Sequence, residues 1–118
     1  MEPTLGNPEL ILINKQAYAS GSPKRFDIVA IFDPVTNEML VKRIVGLPGE
    51  RVEIVNGEIY INNTYLKYPF SSEKVDSPYY NVNSVILSSN SYFYIGDARK
   101  TSSMGVVLSK QLMGKIIN

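Results

Sequence analysis

Apolar and polar residues alternate along most of this chain, and clusters of Gly, Pro, Asn and Ser interrupt the alternation every few residues. Positions 10–15 (Leu-Ile-Leu-Ile-Asn-Lys) predict a strand, and its unbroken apolar start points to burial on both faces. Positions 27–32 predict a second strand. The polar turn at 33–38 leads back into a third run, so these two strands form a hairpin. Arg51-Val52-Glu53-Ile54-Val55 and Glu58-Ile59-Tyr60-Ile61 flank Asn56-Gly57, the strongest short hairpin signal, because a type I′ turn needs positive φ at both central residues. Positions 62–66 continue as a short strand or turn. Positions 67–84 are rich in Ser, Tyr, Pro and Asn, have no period, and read as an excursion over the surface. Strands follow at 85–87 and 91–95 around a Ser88-Ser89-Asn90 turn, and at 105–108 beyond a polar loop. Positions 109–113 predict one helical turn capped by Ser109, and 114–117 close the sheet. No helix-period segment exceeds a turn or two. The expectation is an all-β fold of compact antiparallel β-sheets in a single domain over 1–118.

The third run carries the most chemistry. Met39-Leu40-Val41-Lys42-Arg43-Ile44-Val45 reads as a strand, and Gly46-Leu47-Pro48-Gly49 stops it. Residues two apart in a strand share a face, so Lys42 lies between Leu40 and Ile44, while Arg43 points the other way with Val41 and Val45. Two readings follow. A dehydrated lysine has a lowered pKa and can act as a base near neutral pH. Alternatively Lys42 belongs to an edge strand, with its stem packed and its amine in water.

Composition narrows the classes. The chain has 118 residues and is 44% hydrophobic, enough for one modest core. Twelve basic residues balance 11 acidic ones, so charge gives no reason to expect nucleic acid as a partner. There is no histidine and no cysteine. Ser-His and Cys-His mechanisms within the chain, zinc-thiolate sites and disulfides are excluded. A hydrolase built on this chain would need a carboxylate, tyrosine or lysine base. Absence of cysteine is compatible with an extracytoplasmic location. No apolar run is long enough to span a bilayer, and no signal peptide is visible. No metal or organic cofactor is implied.

Four short motifs, in order, resemble the boxes of the type I signal peptidases, membrane-anchored Ser-Lys proteases. Met1-Glu2-Pro3-Thr4-Leu5 is similar to the nucleophile box Ser-Met-x-Pro-Thr-Leu from its methionine onward. Arg25-Phe26-Asp27-Ile28-Val29 resembles Arg-Gly-Asp-Ile-Val, with Phe26 in place of Gly. Lys42 to Glu50 matches Lys-Arg-x-x-Gly-x-Pro-Gly-Asp/Glu in full, and Gly96-Asp97-Ala98-Arg99 followed by Ser102 resembles the last box. The first box is shared with self-cleaving repressor peptidases, a weaker third reading.

The resemblance implies a signal-peptidase-like catalytic core without a large second domain. It implies Lys42 as general base, Ser102 holding the lysine rotamer, and Asp97 supporting the site through Arg43 or Arg99. A fold-stabilising pair is an equal reading of Asp97 and Arg43. Met1, Leu5, Ile11, Leu40 and Val41 would line shallow pockets for small residues one and three positions before the cut. The nucleophilic serine would stand immediately before Met1, with a membrane anchor further upstream, so this polypeptide alone is expected to be inactive.

Several features depart from the pattern. The last box is shortened after Ser103, position 98 is Ala, and Pro8-Glu9 replaces the usual Gly-Asp. These are expected of a specialised relative, such as the signal-peptidase-like proteins that assist pilus assembly on Gram-positive cells. Two functions are therefore expected. One is a signal peptidase acting on exported preproteins at the extracytoplasmic face of the cell membrane. The other is a non-catalytic chaperone for pilin subunits on the same fold.

Overall fold

The structure is a computed structural model that describes residues 13–15, 18, 21–69, 82–96 and 104–117. Among the described residues, ten strands form two antiparallel sheets. They are β1 (Ile13–Asn14), β2 (Ile28–Asp33), β3 (Glu38–Gly46), β4 (Arg51–Val55), β5 (Glu58–Ile61), β6 (Thr64–Leu66), β7 (Val82–Ile86), β8 (Ser91–Ile95), β9 (Gly105–Leu108) and β10 (Leu112–Ile116). The larger sheet runs β1-β10-β2-β3-β8-β9 and the smaller β6-β5-β4-β7. The all-β expectation holds, and among the described residues the only helical element is a 3-10 turn at Ser109–Gln111.

Period-two alternation creates two cores. Val45, Phe93 and Ile95 on one face of the large sheet pack with Val52, Ile54, Ile59 and Ile61 of the small sheet. Val29, Ile31, Ile44, Tyr92 and Val107 form a second cluster on the opposite face. The sheets meet at Gly46. A methyl group there would stand 2.7 Å from Val52 Cγ2, 2.8 Å from Phe93 Cβ and 2.9 Å from Leu87 Cδ1. No side chain fits that gap, which gives the glycine of this motif a packing reason. Just before it, the β3–β8 register shifts between Ile44 and Gly46, a bulge that bends β3 as it leaves the large sheet.

The turns follow the sequence in part. Asn56 (φ 50°) and Gly57 (φ 81°) make the expected hairpin turn between β4 and β5. Asn62 (φ 51°) and Asn63 (φ 67°) repeat it between β5 and β6. Other expectations are corrected. The strand at 85–87 begins earlier, at Val82, and excludes Leu87. The expected Ser88-Ser89-Asn90 turn is present, and it carries the chain from the small sheet to the large one, since β7 pairs with β4 and β8 with β3. Ser109 lies inside the 3-10 turn. The Leu108 N–H is instead satisfied by Gln111 Oε1 at 2.9 Å, while Leu112 and Met113 belong to β10. Of the first expected strand, only the end is described, an edge strand with Ile13 half-buried and Asn14 exposed; its apolar start at 10–12 lies outside the described residues.

Candidate active site

Lys42 lies in β3, which sits between β2 and β8 in the interior of the large sheet. β3 is thus not an edge strand, although its ladder with β8 starts only at Arg43, so among the described residues Lys42 itself pairs with Val29 of β2 alone. Val29, directly opposite on β2, is fully buried, as is Ile44 two residues along on the same face. Half-buried Leu40 lies on the other side. Lys42 itself is 8% exposed. Among the described residues no carboxylate pairs with its amine. Burial lowers its pKa from the ordinary lysine value, because a desolvated ammonium loses hydration that nothing described replaces.

The neighbouring strand brings a second segment to this spot. β8 pairs Ile44 with Tyr94 and Arg43 with Ile95, where the ladder ends, one residue from Lys42 on β3 and one residue from Gly96 on the other chain segment. On β9, Gly105 pairs with Tyr94. Gly96 and Met104 are the described residues on either side of 97–103. Asp97, Arg99 and Ser102 belong to that segment and lie outside the described residues, as do Met1, Leu5 and Ile11.

Arg43 faces away from Lys42 and is 4% exposed. Its Nη1 donates to the Phe26 carbonyl at 2.7 Å. Leu40 and Val41 are both half-buried but, being adjacent in a strand, they project to opposite faces. No pocket can draw both side chains from one face of the sheet. A cavity of about 280 Å³ near the second cluster is lined by Tyr18, Tyr92 and Leu112 among others, and neither Leu40 nor Val41 borders it.

The residues around the Lys42 strand include several whose roles the sequence reading did not assign. Arg25 and Glu50 form a two-pronged ion pair, Nη1–Oε1 at 2.9 Å and Nη2–Oε2 at 2.7 Å. Arg25 Nη1 also donates to the Val45 carbonyl at 2.7 Å, and Glu50 Oε1 accepts the Leu47 N–H at 2.7 Å. This pair therefore holds both the bulge and the turn that end β3. Asp27 accepts the Tyr18 hydroxyl at 2.9 Å and the Lys24 N–H at 3.0 Å, with Lys115 Nζ at 3.7 Å. Burial, then the hydrogen bond to Asp27, pushes the Tyr18 phenol above its ordinary pKa, which keeps it a donor. The only sequence signal for these contacts is the presence of Arg25, Asp27 and Glu50 in matched boxes. Nothing local relates Arg25 to Glu50. No group of three or more potential metal-binding side chains occurs among the described residues.

A buried lysine with a lowered pKa, on a strand of a small antiparallel β fold, is a candidate hydrolase base. The chain belongs to the signal peptidase, peptidase S26, family, which it matches over residues 1–117. Signal peptidase IB of Staphylococcus aureus (strain COL) is 28% identical over a gapped alignment 135 residues long, covering 98% of this chain and 70% of that protein. Signal peptidase I U of Bacillus subtilis (strain 168) is 34% identical over 108 aligned residues, covering 86% of this chain and 58% of that protein. The crystal structure of a signal peptidase I from Enterococcus faecalis V583 aligns with a TM-score of 0.67 at 25% identity, covering 82% of this chain and 97% of that one. No helix among the described residues is long and apolar enough to cross a membrane.

Proposed function

We propose that this chain is the catalytic domain of a membrane-anchored serine endopeptidase that removes signal peptides from exported precursors, with Lys42 as its general base. The observation that carries the reading is the buried Lys42 amine, whose charged form is disfavoured where a base must be neutral. The nucleophile is a serine hydroxyl supplied by the residue before Met1 in the parent protein. Lys42 Nζ takes the hydroxyl proton as Oγ attacks the scissile carbonyl carbon. The resulting ammonium then returns the proton to the leaving amide nitrogen, the C–N bond breaks, and an acyl-enzyme remains. Water, deprotonated by the same amine, hydrolyses the ester.

Ser102 orients the amine, and Asp97 supports the site through Arg43 or Arg99. The end of the β3–β8 ladder at Arg43–Ile95, two residues before Asp97, is consistent with both assignments. Met1, Leu5 and Ile11, with Leu40 and Val41 on opposite faces of β3, line separate substrate pockets, and the extended substrate adds its backbone to the strands near Lys42. An anchor upstream holds the domain at the extracytoplasmic face of the membrane.

The test uses the parent protein with a preprotein substrate. Cleavage is expected in the wild type and lost in Lys42→Ala. Full activity in Lys42→Ala overturns the assignment of the base. The shortened last box favours a second reading, a non-catalytic chaperone for pilin subunits. That reading predicts no cleavage and pilus assembly that survives Lys42→Ala.

A further inference from the structure

Among the described residues, five non-glycine residues have positive φ: Asn37, Asn56, Asn62, Asn63 and Phe26. Asparagine tolerates the left-handed region, because its short polar side chain bonds locally. Phenylalanine has no such compensation, yet Phe26 sits at φ 75°. A bulky residue stays there only when its surroundings over-determine it.

Those surroundings are specific. The Phe26 N–H donates to the Ile44 carbonyl at 2.6 Å, and the Ile44 N–H donates to the Asp27 carbonyl at 2.9 Å. The Phe26 carbonyl accepts from Arg43 Nη1 at 2.7 Å. All three bonds land on the two residues that follow Lys42. They begin where the β2–β3 ladder ends, since Ile28–Arg43 is its last pair. The Phe26 ring packs against the first core and lies 6.3 Å from the Tyr68 ring, centroid to centroid. The ring thus holds the kink, and the kink holds β3.

We propose that Phe26 is a positioning residue for the Lys42 site: its left-handed backbone straps Arg43 and Ile44 in place, and Ile44 is the wall that keeps water from the lysine amine. The Phe26 side chain touches neither substrate nor Lys42 in this account and acts through the backbone of β3. The inference rests on Lys42 being the base, but its structural half does not need catalysis to be measured.

Two variants separate the kink from simple packing. Both Phe26→Gly and Phe26→Ala remove the ring, and only glycine accepts φ 75° freely. If the kink matters, Phe26→Ala relaxes it, while Phe26→Gly keeps it and loses only thermal stability. The readouts are the Lys42 amine titration, followed by NMR in the parent protein, and steady-state cleavage of a signal-peptide substrate. In Phe26→Ala the amine titration is expected to move up toward the ordinary lysine value. There kcat falls by about tenfold with KM changed by less than about twofold. Phe26→Gly is expected to rescue both.

Equal titration and kcat in the two variants, or a larger loss in Phe26→Gly, overturns the inference. Should Phe26→Ala fail to fold while Phe26→Gly folds, backbone amide exchange at Arg43 and Ile44 in Phe26→Gly decides. Protection at the wild-type level supports the strap, and loss of protection overturns it. A titration that responds as expected in a parent protein without cleavage would leave the strap standing and remove the peptidase reading alone.

Discussion

Arg25 and Glu50 are 25 residues apart in sequence and meet through two parallel N–H···O bonds of 2.9 and 2.7 Å. Their side chains are 27% and 16% exposed. Each also bonds a backbone group at the end of β3, Val45 for the arginine and Leu47 for the glutamate. The pair therefore fastens the start of β2 to the turn that follows the lysine strand. Glu50→Gln and Arg25→Lys should each destabilise the fold by about 1–3 kcal/mol, because both break the paired geometry and leave a partner poorly satisfied. Denaturant midpoints with an unchanged slope would report this.

The same pair fixes an acid dependence. Burial works to raise the Glu50 pKa, but the bonds from Arg25 and the Leu47 N–H outweigh it and hold the carboxyl below its ordinary value. A depressed carboxylate contributes stability above its unfolded pKa of about 4.3 and loses it as pH falls through the folded one. Stability measured downward from that point should fall more steeply in the wild type than in Glu50→Gln.

Two glycines of the Lys42 motif should fail for different reasons. Gly46→Ala forces a methyl group into contacts of 2.7–2.9 Å with Val52, Phe93 and Leu87. Overpacking of this kind costs about 1–3 kcal/mol. Gly49→Ala meets open space but must hold φ 84°, at a cost nearer 1 kcal/mol. Thermal unfolding of the two variants should rank them in that order.

These relationships mark where the sequence was readable. Strand β3, its hairpin with β2, the Asn56-Gly57 turn and the side of the strand on which Lys42 lies all follow from local rules. Period-two alternation and left-handed turn residues act over a few positions. The Asn62-Asn63 turn carries the same chemistry in a weaker dipeptide. The Ser88-Ser89-Asn90 turn looks like a hairpin locally, and only the packing of β7 on β4 sends its two strands to different sheets. Phe26 is opaque for a further reason. Its own propensity opposes the conformation it adopts, and tertiary contacts override that propensity. Whether Lys42 was wet or dry was undecidable from its flanks, because that depends on the strands either side of β3. Asp97, Arg99, Ser102, Met1, Leu5 and Ile11 rest on motif matches alone.

Lys42 should limit stability while supplying activity. An amine buried against Val29 and Ile44 without a described counter-charge is less favourable than an apolar chain of the same length. Lys42→Met should raise stability by about 1 kcal/mol and abolish cleavage by the parent protein. Unfolding free energy and cleavage rate, measured on the same preparation, check both halves.

The pH dependence of cleavage carries a distinct signature. The chain has no histidine, so no imidazole within it can set a rate-limiting protonation. Asp27, Lys115, Tyr92 and Tyr94 share the Lys42 face of the sheet, and Asp27 and Lys115 lie 3.7 Å apart. With Lys42 as the proposed base, the neutral amine would be the active form, and kcat/KM should rise with pH through the lowered Lys42 pKa. Stability should also rise with pH between the folded pKa and the higher unfolded one, because the unfolded chain binds the extra proton in that window. A profile that falls with rising pH over this range would contradict the role of the amine.

The most direct measurement is titration of the Lys42 side-chain amine by NMR in the wild-type parent protein, with Lys42→Met identifying the signal. The account predicts a midpoint below the ordinary lysine value of 10.5. A midpoint at that value, with the amine exchanging protons as freely as an exposed lysine, would contradict it.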